Sequence, residues 1–352
     1  MRIAIISLYS RLGGTTGDCV QANKTAAALS ALGEDVLRCY LKQGTSEVYD
    51  SKGALLGAWD VVLGAMDIVH AIPPIPSSYL PSLEIKAKLV ASTVFWRSWT
   101  YSRVIHRNDG RLSFGVLKDY VRTFLAWLGI PTYRSYLAYD LLLPNSIDEI
   151  DCFRRYCRMK KGAKVVAVPN AIDSIPEFVA ELPRSNKIPP GDYVLVPAVF
   201  AIRKNQIAFI RALRDARYTI VFMGDGPQLD QCRSEATPNM LFVGHVQQGS
   251  PEFYSLMKYA RVVCLPSNCE TPGIAGLEAA ALGARPVVPR EGGTTEYYGW
   301  DAEYHNPLDG DSIRECVERA FGRGRLTDSE MARYRAMTWD YVARMTRDAY
   351  CE

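Results

Sequence analysis

Short apolar runs alternate with helix-like stretches on both sides of one proline-rich segment, and this rhythm constrains the fold of the 352-residue chain most. The first series opens with Met1-Arg-Ile-Ala-Ile-Ile-Ser-Leu8 and the glycine-rich loop Gly13-Gly14-Thr15-Thr16-Gly17. An alanine-rich helix is expected over residues 20–32, ended by Gly33, and a second strand over 34–40. Strand, loop, helix and strand in that order make the first unit of a doubly wound parallel sheet. Apolar runs at 67–70, 88–91, 139–143 and 164–168 continue the series. A second series follows at 193–198, 219–223, 240–243, 262–265 and 286–288. Between them, residues 173–191 carry four prolines and several charges and read as a linker. The expected fold is α/β, with two Rossmann-like doubly wound domains facing a cleft.

Size and charge agree with that organisation. The length suits two domains, and 48% hydrophobic residues suits ordinary globular cores. A net charge of +3 without a long basic run argues against nucleic acid as a partner. Nine cysteines without a Cys-x-x-Cys pair point to a reducing compartment and buried thiols. The four histidines (His70, His106, His245, His305) are scattered, so no structural or catalytic metal is expected. No apolar run reaches the roughly 18 residues that span a bilayer. Residues 1–8 run into Gly13-Gly14 without a small-residue cleavage pattern, so they read as a first strand, not a signal peptide. A cytoplasmic protein is expected, with peripheral contact at the inner membrane face as an option.

The segment Glu270-Thr-Pro-Gly-Ile-Ala-Gly-Leu-Glu278 carries the strongest chemical signal. Its flanks, Leu265-Pro-Ser-Asn268 and Arg285-Pro-Val-Val-Pro289, read as ends of two buried strands. Glu270 then stands on a loop at a strand's carboxyl end, and Glu278 in the early turns of the next helix. A helix start offers unpaired N–H groups and partial positive charge, which suit a phosphate. Two carboxylates beside it can accept hydrogen bonds from sugar hydroxyls. The plain alternative is a solvated glutamate and a helix-surface one.

The spacing Glu-x7-Glu, with Gly273 three residues after the first glutamate and Glu-Ala at the end, resembles the signature of family 4 glycosyltransferases. These are retaining, nucleotide-sugar-dependent enzymes of the GT-B fold. Further motifs occur in the family's order: Pro169-Asn-Ala-Ile-Asp173, Arg203-Lys204-Asn205 before a helix, Gly224-Asp-Gly-Pro227 and Gly292-Gly-Thr-Thr-Glu296. The resemblance implies an acceptor-binding domain over 1–173, a linker over 174–191 and a nucleotide-sugar domain over 192–328. It further implies that 329–352 is a C-terminal helix that packs back on the first domain, an ordinary surface helix being the alternative on sequence alone. The implied activity is transfer of a hexose-type sugar from a UDP- or GDP-sugar to a saccharide or lipid-linked saccharide, in surface polysaccharide or glycoconjugate assembly. No cofactor is implied beyond the nucleotide-diphosphate sugar itself.

Breaking the bond from C1 to phosphate passes through an oxocarbenium-like state while charge builds on the diphosphate. Fixed cations aimed at that charge help most. Arg203 offers a fork and Lys204 a point charge, and both stand where two cations oppose a helix dipole unless a ligand needs them. By resemblance, Glu270 contacts the transferred sugar and supports the reacting centre, and Glu278 accepts the ribose hydroxyls. Gly273, Ile274 and Ala275 would offer backbone N–H groups. Gly14 and Thr15 would close over the diphosphate, and the loops holding Gly224 and Val246 would line the base pocket. No residue reads convincingly as a covalent nucleophile, and the resemblance implies a same-face displacement in which the leaving diphosphate assists deprotonation of the acceptor hydroxyl.

Two departures from the family stand out. Pro272 replaces its usual phenylalanine, removing a backbone donor, and Ser92 stands near where a sugar-contacting histidine would be. His70 and His106 are candidates to replace that histidine by proximity in sequence only, and a structural histidine is the commoner role for each. Between Phe95 and Arg107, Trp96, Trp99 and Tyr101 interleave with Arg97, Arg103 and Arg107. Aromatic faces and arginines of this kind suit a sugar or a lipid diphosphate, so Trp96, Arg97, Trp99 and Arg103 are expected to bind the acceptor; a partly buried amphipathic face is the alternative. Two other functions remain open on sequence: a nucleotide-sugar epimerase, which needs no acceptor, and a non-catalytic nucleotide-sugar-binding protein.

Overall fold

The computed structural model of the chain describes all residues except 15, 16, 44, 76–85, 94, 97–113, 131–133 and 189, and leaves out the side chains of 114–119 and 134–135. It divides into two units: Met1–Arg97, Tyr120–Ala171 and Thr338–Glu352 form the first, and Ser98–Asp119 and Ile172–Met337 the second.

The first unit is built on β1 (Arg2–Leu8), β2 (Asp35–Leu41), β3 (Glu47–Asp50), β4 (Leu55–Ala58), β5 (Ile68–Ala71), β6 (Lys88–Thr93), β8 (Leu141–Pro144) and β10 (Lys164–Val165). They pair in the order β10-β8-β6-β5-β1-β2-β3-β4. All pairings are parallel except β2 with β3 and β3 with β4. Ile3, Ile5 and Ile6 of β1 are buried, as a strand covered on both faces requires. The helix Gly17–Ala31 packs on the sheet with small side chains, burying Ala22, Ala26 and Leu29 with Ile3 and Ile5. The last helix, Trp339–Cys351, lies against Gly17–Ala31 and puts Val342, Ala343, Ala349 and Tyr350 in the same core. A separate parallel pair joins β7 (Arg134–Tyr136) to β9 (Cys157–Met159).

The second unit holds a six-stranded, wholly parallel sheet of β11 (Tyr193–Pro197), β12 (Thr219–Met223), β13 (Met240–Gly244), β14 (Val262–Cys264), β15 (Arg285–Pro289) and β16 (Glu303–His305). Its order is β13-β12-β11-β14-β15-β16. Chain order therefore reverses between β11 and β14, the switch point where loops on the carboxyl side diverge and leave a crevice.

Two expected boundaries move. The proline-rich stretch 174–191 belongs to the second unit, because Val179 and Ile188 are buried in its core beside Tyr193 and Leu256. Lys258 Nζ also donates to the carbonyls of Val179 and Ala180 at 2.8 Å, and Tyr259 Oη to that of Leu182 at 2.8 Å. The prolines break regular structure there without freeing the chain. The helix Asp328–Arg335 likewise stays with the second unit, where Tyr334 is fully buried beside Tyr298 and Leu277. The segment that joins the first unit begins at Thr338, whose side chain caps the last helix by accepting from the Tyr341 amide. The short strands β3, β4, β7, β9 and β16 lie beyond what apolar runs could show. No helix among the described residues is long and apolar enough to cross a membrane.

Candidate active site

Two loops at the switch point of the second sheet are stitched together by backbone-directed hydrogen bonds. After β11 the chain makes a single 3-10 turn, Ile202–Lys204, and then Asn205 takes φ 57° and ψ 25°. Asparagine is among the few residues that tolerate this left-handed region, because its short amide can bond locally. Here Nδ2 of Asn205 donates to the carbonyls of Pro266 and Pro307 at 3.2 and 3.1 Å. From the loop after β14, the Asn268 amide donates to the Arg203 carbonyl at 2.9 Å. The turn and the loop thus have one fixed spacing, and Lys204 Nζ lies 2.5 Å from Oε1 of Glu270. Their side chains are 14% and 7% exposed, so water screens this ion pair little. Arg203 is exposed beside it.

Glu270 is held by its backbone as well. It forms an isolated parallel bridge to Gly292, and its amide donates to the Glu291 carbonyl at 3.2 Å. A Cβ on Gly292, at φ 107°, would stand 1.9 Å from the Glu270 carbonyl oxygen. Only glycine allows this approach. Gly273 at φ 85° turns the loop into the helix Ile274–Ala281, and its carbonyl accepts from the Tyr298 hydroxyl at 2.8 Å. Burial, then the Glu270 charge, push the Tyr298 phenol well above its ordinary value, so it stays a donor. The N–H groups of Gly273, Ile274 and Ala275 open this helix and have no acceptor within it. Pro272, which precedes them, is buried and brings no N–H.

Glu278 is the fifth residue of that helix, and its Oε1 accepts from Gln248 Nε2, on the loop after β13, at 2.8 Å. Gly224, which follows β12, is pressed against the chain after β11: a Cβ there would stand 2.1 Å from the Ala198 carbonyl oxygen. Phe200 donates its amide to the Asp225 carbonyl at 2.9 Å, which closes the same contact. Val246 packs with Ala275 against the apolar core below. The loops after β11, β12, β13 and β14 therefore carry Arg203, Lys204, Gly224, Val246, Glu270 and Gly273 on the carboxyl side of one sheet, and the helix that follows the last of them carries Ile274, Ala275 and Glu278.

The remaining candidates lie elsewhere. Gly14 belongs to the first unit, where its amide donates to the Arg11 carbonyl at 3.0 Å and a Cβ would meet Cys19 Sγ at 2.9 Å. Trp96 is half-buried and packs against the first unit's core, which favours the amphipathic-face reading for this residue. Thr15, Arg97, Trp99, Arg103 and His106 lie outside the described residues. His70 is not available to a sugar. It is fully buried, with Nδ1 2.6 Å from the Tyr350 hydroxyl and Nε2 2.9 Å from Ser92 Oγ, and burial pushes it down to about 3. Ser92 thus serves a buried network that fastens the last helix. Among the described residues no group of three or more His, Cys, Asp or Glu side chains is arranged to hold a metal ion.

Sequence reasoning named Asn205 only as the end of the Arg203-Lys204-Asn205 motif, without its role in fixing the two loops, and missed Gln248 and Tyr298. A lone asparagine before a helix is a recognisable hint of left-handed backbone. Gln248 lies in an ordinary polar loop, and Tyr298 among core aromatics, so neither carries a signal.

Residues 193–320 match the family model described as glycosyl transferases group 1. A D-inositol 3-phosphate glycosyltransferase of Nocardioides sp. (strain ATCC BAA-499 / JS614) is 33% identical over 97 residues, which are 26% of this chain and 21% of that protein. The chain thus spans about a fifth of the length of that curated relative. Sucrose-phosphate synthase from Thermosynechococcus elongatus superposes with a TM-score of 0.68 at 15% identity, covering 100% of this chain and 98% of that one. For α,α-trehalose 6-phosphate synthase from Burkholderia multivorans the values are 0.64 and 12%, covering 99% and 98%. Anabaena HepE, solved in complex with UDP, gives 0.60 and 14%, covering 99% of both chains. At these identities the superpositions speak for the fold. The chain has the GT-B fold, and its residues 193–320, which hold the whole second sheet, match the glycosyl transferases group 1 model.

Proposed function

We propose that the protein is a retaining, metal-independent glycosyltransferase that moves a hexose-type sugar from a UDP- or GDP-sugar to a saccharide acceptor. One observation carries this reading: Lys204 and Glu270 are paired at the switch point of a glycosyl transferases group 1 domain, with Glu278 on the helix that follows. The names of the similar proteins support the substrate class, since one was solved with UDP and others make phosphorylated disaccharides or glycosylate an inositol phosphate.

In this reading Lys204, Arg203 and the first-turn amides from Gly273 to Ala275 receive the diphosphate. Their fixed positive charge stabilises the negative charge that grows as the C1–oxygen bond breaks. Glu278 accepts the ribose hydroxyls, oriented by Gln248, and the Gly224 and Val246 loops line the base. Glu270 accepts from a hydroxyl of the transferred sugar and lies near the positive charge developing at C1. The acceptor oxygen bonds to C1 on the face the diphosphate leaves, and its proton passes to a phosphate oxygen. The exposed row of Val121, Phe124 and Trp127 on the helix Phe114–Trp127, continued by Leu128 and Ile130, supports a lipid-linked acceptor and contact with the cytosolic membrane face.

Incubation with UDP- and GDP-hexoses, with and without saccharide acceptors and with and without EDTA, tests the reading. Acceptor-dependent turnover that survives EDTA and keeps the donor's anomeric configuration, read by proton NMR, is expected. Conversion of donor to an epimer without any acceptor would assign an epimerase instead.

A further inference from the structure

In the structure Lys204 is already committed. Its ammonium is 2.5 Å from Glu270, and among the described residues no other hydrogen bond reaches that carboxylate. If the second unit is a donor site, a diphosphate that recruits Lys204 must take it from Glu270. The exchange leaves a carboxylate only 7% exposed, without its donor and close to new negative charge. Burying an unpaired charge is costly, and like charges brought together add to the cost. A hexose attached to the diphosphate carries hydroxyl donors that can take the place of the ammonium. A bare nucleoside diphosphate carries none at that position.

We infer that Glu270 is a specificity-determining residue: it makes the site discriminate against nucleoside diphosphates that lack a sugar. This rests on the reading of the second unit as a donor site. Its consequence is directional, since the donor keeps both members of the pair satisfied whereas the departing diphosphate leaves Glu270 unpaired. The release of product is thereby favoured by the same carboxylate that grips the substrate.

Dissociation constants of UDP, GDP, UDP-glucose and GDP-mannose, measured by titration calorimetry on the whole chain, test this. Glu270→Gln should tighten the bare nucleotide of the preferred base roughly tenfold, while the matching sugar nucleotide gains little, because it loses a hydroxyl acceptor as Lys204 is freed. The ratio of the two constants therefore moves about tenfold toward the bare nucleotide. Lys204→Met should weaken both. Should the glutamine variant fail to give a cooperative melt, Glu270→Ala removes the same charge and reads the same ratio. An unchanged ratio in a folded variant overturns the inference while leaving the donor site intact. Binding of no nucleotide by the wild type overturns the donor-site reading, and the inference with it.

Discussion

Lys204 Nζ lies 2.5 Å from Oε1 of Glu270, although 66 residues separate them and they leave the sheet from different strands. The pair exists because the Asn268 and Asn205 hydrogen bonds fix the spacing of two loops at a switch point. Deleting one partner of so dry a pair strands the other. Lys204→Met should therefore cost about 3 kcal/mol of stability, and combining it with Glu270→Gln should recover most of that loss. Urea denaturation of the two single variants and the double variant measures the coupling; strictly additive losses would show that the pair contributes nothing.

Gly292 tests the backbone side of the same arrangement. Its φ is 107° and a Cβ would meet the Glu270 carbonyl oxygen at 1.9 Å, with only backbone available to yield. Gly292→Ala is expected to lower kcat about 100-fold by displacing Glu270, and to cost at least about 2 kcal/mol. Gly249→Ala serves as control, since its φ is 78° but nothing lies within 4 Å of the added carbon, so only about 1 kcal/mol is expected. Similar kinetics for the two variants would contradict the steric account.

Asn205 does two things that separate substitutions can resolve. Asn205→Gly keeps the left-handed backbone but loses the bonds to Pro266 and Pro307, and Asn205→Ala loses both. The alanine variant should be less stable than the glycine variant by about 1 kcal/mol, and both should bind nucleotide more weakly than wild type. Thermal melts and calorimetry would show this order; a glycine variant no better than alanine would refute the conformational part.

Two buried histidines set an acid limit on stability. His70 is pushed down to about 3 and His305 to about 4, both by burial, and His305 Nε2 lies 3.0 Å from the Leu265 carbonyl at the root of the Glu270 loop. Each folded value lies below the unfolded one, so the unfolded chain binds the proton first. Stability is unaffected by these groups above about pH 6.5, falls as pH drops below it, and levels off once the folded value is passed. At pH 5 the two together should cost roughly 2–4 kcal/mol. Denaturation of wild type between pH 7.5 and 5 checks this, and replacing either histidine with a well-packed neutral residue should flatten the profile. A profile unmoved by both replacements would refute it.

The sheets were legible because buried Val, Ile and Leu runs such as Ile3–Ile6 and Val194–Val196 have little other use in a chain of this composition. The nearness of Lys204 to Glu270 was partly legible too, since residues that follow β11 and β14 meet wherever strand order reverses. Residues 174–191 misled because proline reports the breaking of regular structure, not whether Val179 and Ile188 are buried. His70 is a structural histidine, the commoner of the two roles open to it on sequence, and only the structure shows the Tyr350 and Ser92 partners that enclose it. Gln248 became visible only once its loop was seen beside Glu278.

The central claim is that Glu270, paired with Lys204, supports sugar transfer at the second unit's switch point. Initial rates with the preferred UDP- or GDP-hexose and a saccharide acceptor, compared between wild type and a folded Glu270→Gln variant, test it most directly. The glutamine should lower kcat by about 100-fold or more. Equal turnover by the two would contradict the account.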